Sequence, residues 1–343
     1  NFFLPSVALH ALTPPMPSVV ISGTGAYLPE TILTNDDLAQ RVDTSDEWIR
    51  TRTGIRERRI AGNDQPTSDL AARAGKEAIA DAGLEPGDID LIIVGTLSPD
   101  MLFPCTAALV QTQLGCRPVA SFDVEAACSG FIYLMDIATS MLQGGHYKHA
   151  LIIGAEKISS ILDWSDRTTC VLFGDGAGAA VLSASEETDG RGVMTCKLGA
   201  DGANPSLLCQ PGGGSAVPAS VQSVESKLHT LKMNGREIFK VAVRVMEQST
   251  RRILDEQGLN NGQLDIVIPH QANIRILEAL ATRLEIPMEK VFVNLDKYGN
   301  TSAASIPIAL HEARQAGRVQ PGHTVLLVAF GAGLTWGACL VRW

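Results

Sequence analysis

Three residues whose types could do chemistry together stand where an apolar, strand-like segment meets a helix-like one. Cys128 follows the run Val119–Val124 and begins a helical pattern, whose dipole and backbone N–H groups would favour the nucleophilic thiolate. His270 ends the strand-like run 264–269, and Asn300 precedes another helical segment. The set predicts acyl transfer through a thiolate.

Each of these residues also has a structural interpretation. A cysteine in apolar surroundings is commonly a packed core thiol, and a histidine after a strand can cap the next helix. A Gly-Asn pair is ordinary turn and N-cap chemistry. Their shared position favours function, because sites in open α/β sheets assemble at the edge where strands meet helix N-termini.

The elements that must position these residues follow from short Val/Ile/Leu runs that alternate with longer helix-like segments. This pattern is typical of a buried, largely parallel sheet covered by helices. Eight strands are predicted, at Val19–Gly23, Asp90–Gly95, Val119–Val124, His149–Gly154, Gly178–Leu182, Asp265–Pro269, Thr324–Ala329 and Gly337–Val341.

An internal repeat divides the chain. The segment GLEPGDIDLII at 83–93 recurs as GLNNGQLDIVI at 258–268, and FGDGAG at 173–178 is echoed by FGAG at 330–333. Two echoes in the same order predict a duplicated α/β chain; chance similarity of two βα units is the alternative. We predict an N-terminal half over residues 16–187 and a C-terminal half over 188–343. Residues 1–15 are interpreted as an N-terminal extension or an expression-derived segment.

Composition limits the classes of function. The 343 residues carry 28 Lys+Arg against 37 Asp+Glu, a net charge of −9 that argues against binding nucleic acid or an anionic membrane. No apolar run is long enough for a membrane span. The seven cysteines form no CxxC pair, so we expect free thiols, no metal site and a cytoplasmic location. The sequence has no P-loop and no GxGxxG spacing of a dinucleotide site, and we expect no bound cofactor.

Three motifs resemble those of a known family, and they occur in the same order. They are Ala127-Cys128-Ser129-Gly130, Pro269-His270-Gln271-Ala272-Asn273 and Tyr298-Gly299-Asn300-Thr301-Ser302-Ala303-Ala304-Ser305. They are similar to the Cys, His and Asn motifs of β-ketoacyl-acyl-carrier-protein synthase III, the initiating condensing enzyme of bacterial type II fatty-acid synthesis. The resemblance runs from about Val19 to Trp343. It implies a thiolase-like α/β fold of two duplicated halves in α-β-α-β-α layers, usually built as a homodimer.

The resemblance also implies a two-stage reaction. Cys128 takes the acyl group from a short acyl-CoA, acetyl-CoA above all, and malonyl-acyl-carrier protein then loses CO2 and attacks the acyl-enzyme. His270 and Asn300 would donate hydrogen bonds to the malonyl thioester oxygen. The backbone N–H groups of Cys128 and Ala332 would form a second oxyanion site, with alanine standing where the family has glycine.

Substrate recognition is implied residue by residue. Trp48 and Arg52 would sandwich the adenine, and Arg167 would stack and contact phosphate. Phe103 would close the acyl pocket from the partner subunit, which predicts acetyl, propionyl or small branched primers. The expected CoA-binding residues are Thr44, Trp48, Arg52, Arg167, Gly235 and Arg236, although the family commonly has Asn at the last position.

A basic face is expected to receive the acyl carrier protein. Arg236, Lys240 and Arg244 recur at a spacing of four and therefore line one face of a helix, and Arg275 follows the His270 motif. No Glu lies four residues before any member of the stripe. An acidic carrier protein suits such a face; a merely solvated surface is the alternative.

Two rival functions remain open. A related condensing enzyme could use the same residues to make a specialised product, and a non-catalytic scaffold could share the fold. Simple thiolase activity is disfavoured because Cys339 falls inside a predicted strand, not in the C-terminal loop where that chemistry needs a second cysteine.

Overall fold

Two mixed β-sheets with matching strand order form the centre of the chain. The computed structural model describes residues 16–187 and 189–343. The predicted extension 1–15 and the first residue of the predicted C-terminal half, Thr188, lie outside the described residues. The strands are β1 Ser18–Tyr27, β2 Thr31–Thr34, β3 Glu57–Ile60, β4 Leu91–Gly95, β5 Ala120–Val124, β6 His149–Glu156, β7 Gly176–Ser185, β8 Gly192–Ala200, β9 Leu208–Cys209, β10 Lys232–Met233, β11 Ile266–Pro269, β12 Thr324–Gly331 and β13 Thr335–Arg342.

The α-helices cover the two sheets and fill the space between them. They are α1 Asn35–Ala39, α2 Asp46–Thr53, α3 Thr67–Asp81, α4 Thr106–Leu114, α5 Gly130–Gln143, α6 Val221–Glu225, α7 Gly235–Glu256, α8 Ile274–Arg283, α9 Leu295–Tyr298 and α10 Ser305–Gln315. None of the described helices is both long and apolar enough to cross a membrane.

The strand order repeats between the halves. The first sheet runs β1-β7-β6-β4-β5, and the second runs β8-β13-β12-β11, with Val291 bridging to β11 in the place that β5 holds beside β4. In both sheets the first two pairings are antiparallel and the next is parallel. The fold class of two duplicated α/β halves is therefore confirmed.

The sheets are mixed, so the expectation of largely parallel sheets is wrong. Continuous apolar runs report that a strand is buried on both faces, and they carry no information on its direction. All eight predicted strands are present. The predicted strands do not include β8, the β2–β3 hairpin or the short β9–β10 pair, because polar residues interrupt the apolar pattern there.

The layers alternate as the resemblance implied. Helices α3 and α4 pack on the outer face of the first sheet, α7 packs on the outer face of the second with α8 against it, and α5 and α10 lie between the sheets. Helix α5 is apolar on most of its circumference because it contacts both sheets, and Phe131, Ile132, Leu134 and Met135 are fully buried. Each such side chain contributes about 1.5–3 kcal/mol by leaving water. This packing fixes the start of α5, where Cys128 lies.

One glycine sets the spacing between the halves. A Cβ built on Gly154, near the end of β6, would lie 2.2 Å from the carbonyl oxygen of Ala303 in the second half. No side chain fits there, so the Ser302–Ala304 turn rests directly on the backbone of β6.

We predict that Gly154→Ala destabilises the protein by about 1–3 kcal/mol, because the added methyl group must push two backbone segments apart. Urea unfolding at constant protein concentration measures the change. Gly87→Ala is the matched control, since an added Cβ there meets nothing within 4 Å. Equal stabilities for the two variants would show that the contact does not constrain the halves.

Candidate active site

Cys128 lies in a short turn between β5 and α5. The turn Ala127–Ser129 is a single 3-10 turn, and Cys128 is 5% exposed. Ala127 has a φ of +44°, a conformation that non-glycine residues adopt rarely and mostly at functional sites. Glu125 Oε1 accepts a hydrogen bond from the N–H of Ala127 at 2.9 Å and stabilises the turn.

Burial dominates the chemistry of this thiol. Desolvation raises the pKa of Cys128 to about 12, with Glu156 and Glu125 adding to the rise and the Ser302 hydroxyl opposing it. Burial therefore opposes the effect of the helix start, which was expected to favour the thiolate. Helix α5 begins only at Gly130, and no described cation offsets the loss of water around the sulfur.

His270 is a neutral hydrogen-bond donor. It follows the last residue of β11, and burial lowers its pKa to about 3. Its Nδ1 lies 2.7 Å from Ser305 Oγ, which also accepts a hydrogen bond from the N–H of Gln271 at 3.4 Å. Because the Ser305 proton is then directed at Nδ1, we assign the ring proton to Nε2.

Asn300 is held by its backbone and by its own amide oxygen. Its N–H donates to Leu172 O at 2.8 Å, and its carbonyl oxygen accepts from Gly174 N at 3.1 Å. The Oδ1 atom accepts from Ser302 N at 2.8 Å, which leaves the side-chain NH2 group to donate. The prediction that Asn300 follows a strand is wrong. Asn300 lies in the loop between α9 and α10, and its backbone forms a β-bridge with Phe173.

The three predicted catalytic residues line one cavity. Cys128, His270 and Asn300 share a space of about 110 Å³ with apolar residues of α7 and α8. Cys128 also lines a second cavity of about 360 Å³, whose walls are mostly apolar: Leu97, Ile158, Ile161, Phe173, Leu208 and Leu231. Cys128 therefore lies between the smaller cavity, which contains His270 and Asn300, and the larger apolar cavity.

The turn after β12 approaches Cys128 closely. A Cβ on Gly331 would lie 2.7 Å from the backbone N of Cys128, so only glycine fits. Ala332, the second predicted oxyanion donor, lines the larger cavity with Cys128, and its φ is not positive. Thr335 Oγ1 lies 2.9 Å from the carbonyl oxygens of both Ala126 and Ala332 and ties the two turns together.

The residues expected to bind adenine are together. The guanidinium carbons of Arg52 and Arg167 lie 4.6 and 5.3 Å from the centre of the Trp48 ring. Arg167 also pairs with Asp43 at 3.2 Å. The hydroxyl of Thr44 is buried and has no hydrogen-bond partner among the described residues. The guanidinium groups of Arg52 and Arg167 thus lie over the Trp48 ring, where adenine was expected to stack.

The remaining predicted recognition residues lie on α7 or at the start of α8. Gly235 lines the smaller cavity, and Arg236, next to it in the sequence, is exposed. Arg244 is also exposed. Lys240 pairs with Glu237 at 2.8 Å, so a glutamate three residues earlier neutralises part of the expected basic face. Arg275 is exposed and donates to Thr51 O at 3.0 Å.

Phe103 stands apart from the site in the single chain. It is 84% exposed and lines neither cavity.

Among residues 16–187 and 189–343, no three His, Cys, Asp or Glu side chains are grouped to hold a metal ion.

Several residues around the site were not anticipated. Ser302 and Ser305 fall inside a motif that was recognised for Asn300 alone, and Thr335 gave no signal. Glu156 could have been selected from the sequence, because a glutamate at the end of a buried apolar strand is rarely buried unless polar groups pair with it.

Comparison with known proteins identifies the family. Two family profiles match, "3-Oxoacyl-[acyl-carrier-protein (ACP)] synthase III" over residues 122–202 and its C-terminal counterpart over residues 254–343. The β-ketoacyl-[acyl-carrier-protein] synthase III of Caldanaerobacter subterraneus is 55% identical over 323 residues, which cover 94% of this chain and 97% of that one.

Solved structures agree with these sequence matches. The 3-oxoacyl-[acyl-carrier-protein] synthase III of Aquifex aeolicus is 52% identical with a TM-score of 0.87, covering 95% of this chain and 100% of its own. A priming β-ketosynthase from the R1128 polyketide pathway is 33% identical with a TM-score of 0.88, over 96% and 97% of the two chains. The chain belongs to the β-ketoacyl-acyl-carrier-protein synthase III family of condensing enzymes.

Proposed function

We propose that Cys128, His270 and Asn300 carry out the reaction of this family, the initiating condensation of type II fatty-acid synthesis. A short acyl-CoA and malonyl-acyl-carrier protein are joined with loss of CO2 to give a β-ketoacyl-acyl-carrier protein. The observation that carries the assignment is the shared cavity, in which a buried thiol meets two neutral N–H donors. That combination suits covalent catalysis followed by stabilisation of an oxyanion.

The first half-reaction loads Cys128. Its sulfur attacks the thioester carbonyl of the acyl-CoA, and the acyl group then rests in the larger apolar cavity. The N–H groups of Cys128 and Ala332 are the donors proposed for the tetrahedral oxyanion. Gly331 supports this arrangement, because it lets the β12 backbone approach Cys128.

The second half-reaction uses His270 and Asn300. Loss of CO2 places negative charge on the malonyl thioester oxygen, and His270 Nε2–H and the Asn300 NH2 group donate to it. A neutral imidazole suffices for this task, in keeping with the low pKa of His270. Each donor is expected to contribute about 3–4 kcal/mol of transition-state stabilisation.

The entry path is proposed along the smaller cavity. Its outer wall includes Gly235, where the pantetheine arm would pass. Adenine would stack on Trp48 after displacing Arg52 or Arg167, whose charges then serve the phosphates. Exposed Arg236, Arg244 and Arg275, with Lys240 in its ion pair, would receive the acidic carrier protein.

A second copy of the chain is proposed to complete the acyl pocket. Strand β5 is the edge of the first sheet and is only partly covered. Near it Met101, Leu102 and Phe103 are exposed by 48%, 80% and 84%. A homodimer would cover these apolar groups and bring Phe103 to the partner's cavity. The free cysteines suit the cytoplasm, and no bound cofactor is proposed.

The main alternative is a condensing enzyme for a specialised product. The similarity to a priming β-ketosynthase of a polyketide pathway supports this alternative. Turnover with acetyl-CoA and malonyl-acyl-carrier protein, followed by identification of the product, separates the two functions.

We predict that Asn300→Ala still forms an acyl-enzyme from acetyl-CoA but releases CO2 from malonyl-acyl-carrier protein about 100-fold more slowly or worse. Its amide acts only on the second substrate. Intact-mass analysis measures the adduct, and CO2 release measures the second step. Cys128→Ala is the control and should form no adduct. An equal loss of both half-reactions in Asn300→Ala would contradict its assigned role.

Ser305→Ala should slow CO2 release about tenfold while leaving acyl-enzyme formation unchanged. The variant removes the hydrogen bond that fixes the His270 tautomer, a contribution of about 1–1.5 kcal/mol. Ser305→Thr, which keeps the hydroxyl, should restore part of the rate. An unchanged rate in Ser305→Ala would show that His270 needs no such orientation.

Phe103→Ala should shift primer preference towards longer acyl-CoA molecules, because a smaller side chain leaves the partner's cavity open. The ratio of kcat/KM for hexanoyl-CoA to that for acetyl-CoA is the measurement. Leu102→Ala is the matched control beside it. An unchanged ratio in an intact dimer would rule out the proposed place of Phe103.

A further inference from the structure

A buried arginine next to the Asn300 loop has no part in the mechanism so far. Arg58 lies in β3, and its side chain is among the largest that are fully buried, with 0% exposure. An arginine is almost never fully buried unless it is paired. Within the described residues, the hydrogen bonds of its guanidinium group all go to uncharged oxygen atoms. Burying a charge is costly, so the segments that these bonds hold need to be identified.

The guanidinium group joins two parts of the chain that are distant in sequence. On one side, Nη1 donates to the carbonyl oxygen of Leu33 at 3.0 Å and to Oδ1 of Asn35 at 2.9 Å. On the other side, Nη2 donates to the carbonyl oxygen of Val171 at 2.8 Å. The donors of a guanidinium group form a rigid planar fork, so Arg58 fixes the distance between the two parts.

The Val171 side of this fork leads directly to Asn300. Residues 171–174, here called the bridge segment, hold the Asn300 backbone by two hydrogen bonds. Asn300 N donates to the carbonyl oxygen of Leu172 at 2.8 Å, and Gly174 N donates to the carbonyl oxygen of Asn300 at 3.1 Å. The Asn300 backbone is therefore attached to a segment that itself accepts a hydrogen bond from Arg58.

The stem of Arg58 also packs against both partners of this bridge. A Cβ built on Gly174 would lie 3.0 Å from the Cβ of Arg58, and a Cβ built on Gly299 would lie 3.4 Å from it. Gly174 belongs to the bridge segment, and Gly299 immediately precedes Asn300. Because neither glycine has a side chain, Arg58 lies close to the backbone of both. It therefore holds the bridge by packing as well as by a hydrogen bond.

Arg58 is itself anchored to helix α2 through Asn35. The Asn35 side chain is 1% exposed, and its Nδ2 donates to Asp46 Oδ1 at 2.9 Å and to the carbonyl oxygen of Ile55 at 2.8 Å. Asp46 is the first residue of α2, and Ile55 follows the glycine at its C-cap. One buried amide thus fixes both ends of α2 and also accepts from Arg58.

We propose that Arg58 is a positioning residue for Asn300, an inference that rests on the function proposed above. A chain of hydrogen bonds runs from α2 through Asn35 and Arg58 to the bridge segment, which holds the Asn300 backbone. Arg58 lines neither cavity, so it acts only through the residues that it holds. The chain sets the place of the Asn300 NH2 group, and a shift of about 1 Å in such a donor can slow a reaction about 100-fold.

The loading of Cys128 does not depend on this chain. The turn that carries Cys128 is held by Glu125 and Thr335 instead. The donors proposed for the loading step are backbone N–H groups outside the bridge segment. Comparison of the two half-reactions therefore distinguishes a positioning role from a general loss of folded protein, which would lower both rates by the same factor.

Arg58→Lys tests the positioning of Asn300. Lysine keeps the charge, but its single nitrogen on a shorter stem cannot hold both sides of the fork. CO2 release from malonyl-acyl-carrier protein should become about 10- to 100-fold slower. Formation of the acetyl adduct on Cys128, at saturating acetyl-CoA, should stay within about threefold of the wild-type rate.

Asn35→Ala removes the anchor and keeps the arginine. It should slow CO2 release about threefold, because Arg58 retains its bonds to Leu33 and Val171. Since the two residues act in one chain, the double variant should release CO2 no more slowly than Arg58→Lys alone.

Hydrogen exchange gives a readout that needs no substrate. The N–H groups of Asn300 and Gly174 are protected by the bridge, so peptides that contain them report how firmly it is held. Mass spectrometry should show these peptides exchanging about tenfold faster in Arg58→Lys than in the wild type. Asn35→Ala should change them in the same direction by a smaller factor.

Thr24→Val is the matched control. It also removes a buried polar contact, but the hydroxyl of Thr24 bonds to His311 and Arg314 on α10. The variant should leave the ratio of the two half-reactions unchanged, and its Asn300 and Gly174 peptides should exchange as in the wild type. Thermal unfolding of every variant measures how much stability each one has lost.

Equal losses of adduct formation and CO2 release in Arg58→Lys, or wild-type exchange of its Asn300 peptide, would overturn the proposal. If Arg58→Lys does not fold, Asn35→Ala decides, and unchanged CO2 release together with unchanged exchange would overturn it equally. A wild-type protein that forms no acetyl adduct or releases no CO2 would refute the proposed function. The exchange comparison would then still decide whether Arg58 holds Asn300.

Discussion

The approach of the β12–β13 turn to the Cys128 turn is the contact on which the rest of the site depends. Gly331 has no side chain, so the backbone of the second half meets the backbone N of Cys128 in the first. Thr335 strengthens the contact through the carbonyl oxygens of Ala126 and Ala332. The two halves thereby bring Cys128 from one and His270 and Asn300 from the other to one cavity.

The electrostatics of that cavity follow from the same contact. Close packing removes water from Cys128, His270 and Asn300, which are 5%, 5% and 7% exposed. Desolvation lowers the pKa of His270 and so keeps the imidazole neutral, with one N–H to donate, and it raises the pKa of the Cys128 thiol. The burial that suits the neutral donors proposed for the oxyanion therefore disfavours a thiolate at the same place.

Residue types and local spacing were enough to predict the eight strands and the duplicated fold, and to select three distant residues that line one cavity. Local sequence does not encode how strands pair, so the mixed direction of the sheets was missed. The thiol pKa and the Lys240–Glu237 pair depend on burial and on side-chain positions that no motif records. Phe103 could be recognised only by resemblance, because its proposed partner lies on another chain.

The close backbone contact between Gly154 and Ala303 has a consequence for any attempt to divide the protein. A fragment ending near residue 187 would contain Cys128 and β6 but neither His270 nor Asn300, and the complementary fragment would contain those two residues without Cys128. Each fragment would also expose an apolar layer that the other covers, since the central core draws on both sheets. The proposed catalytic set therefore requires both halves in one folded chain.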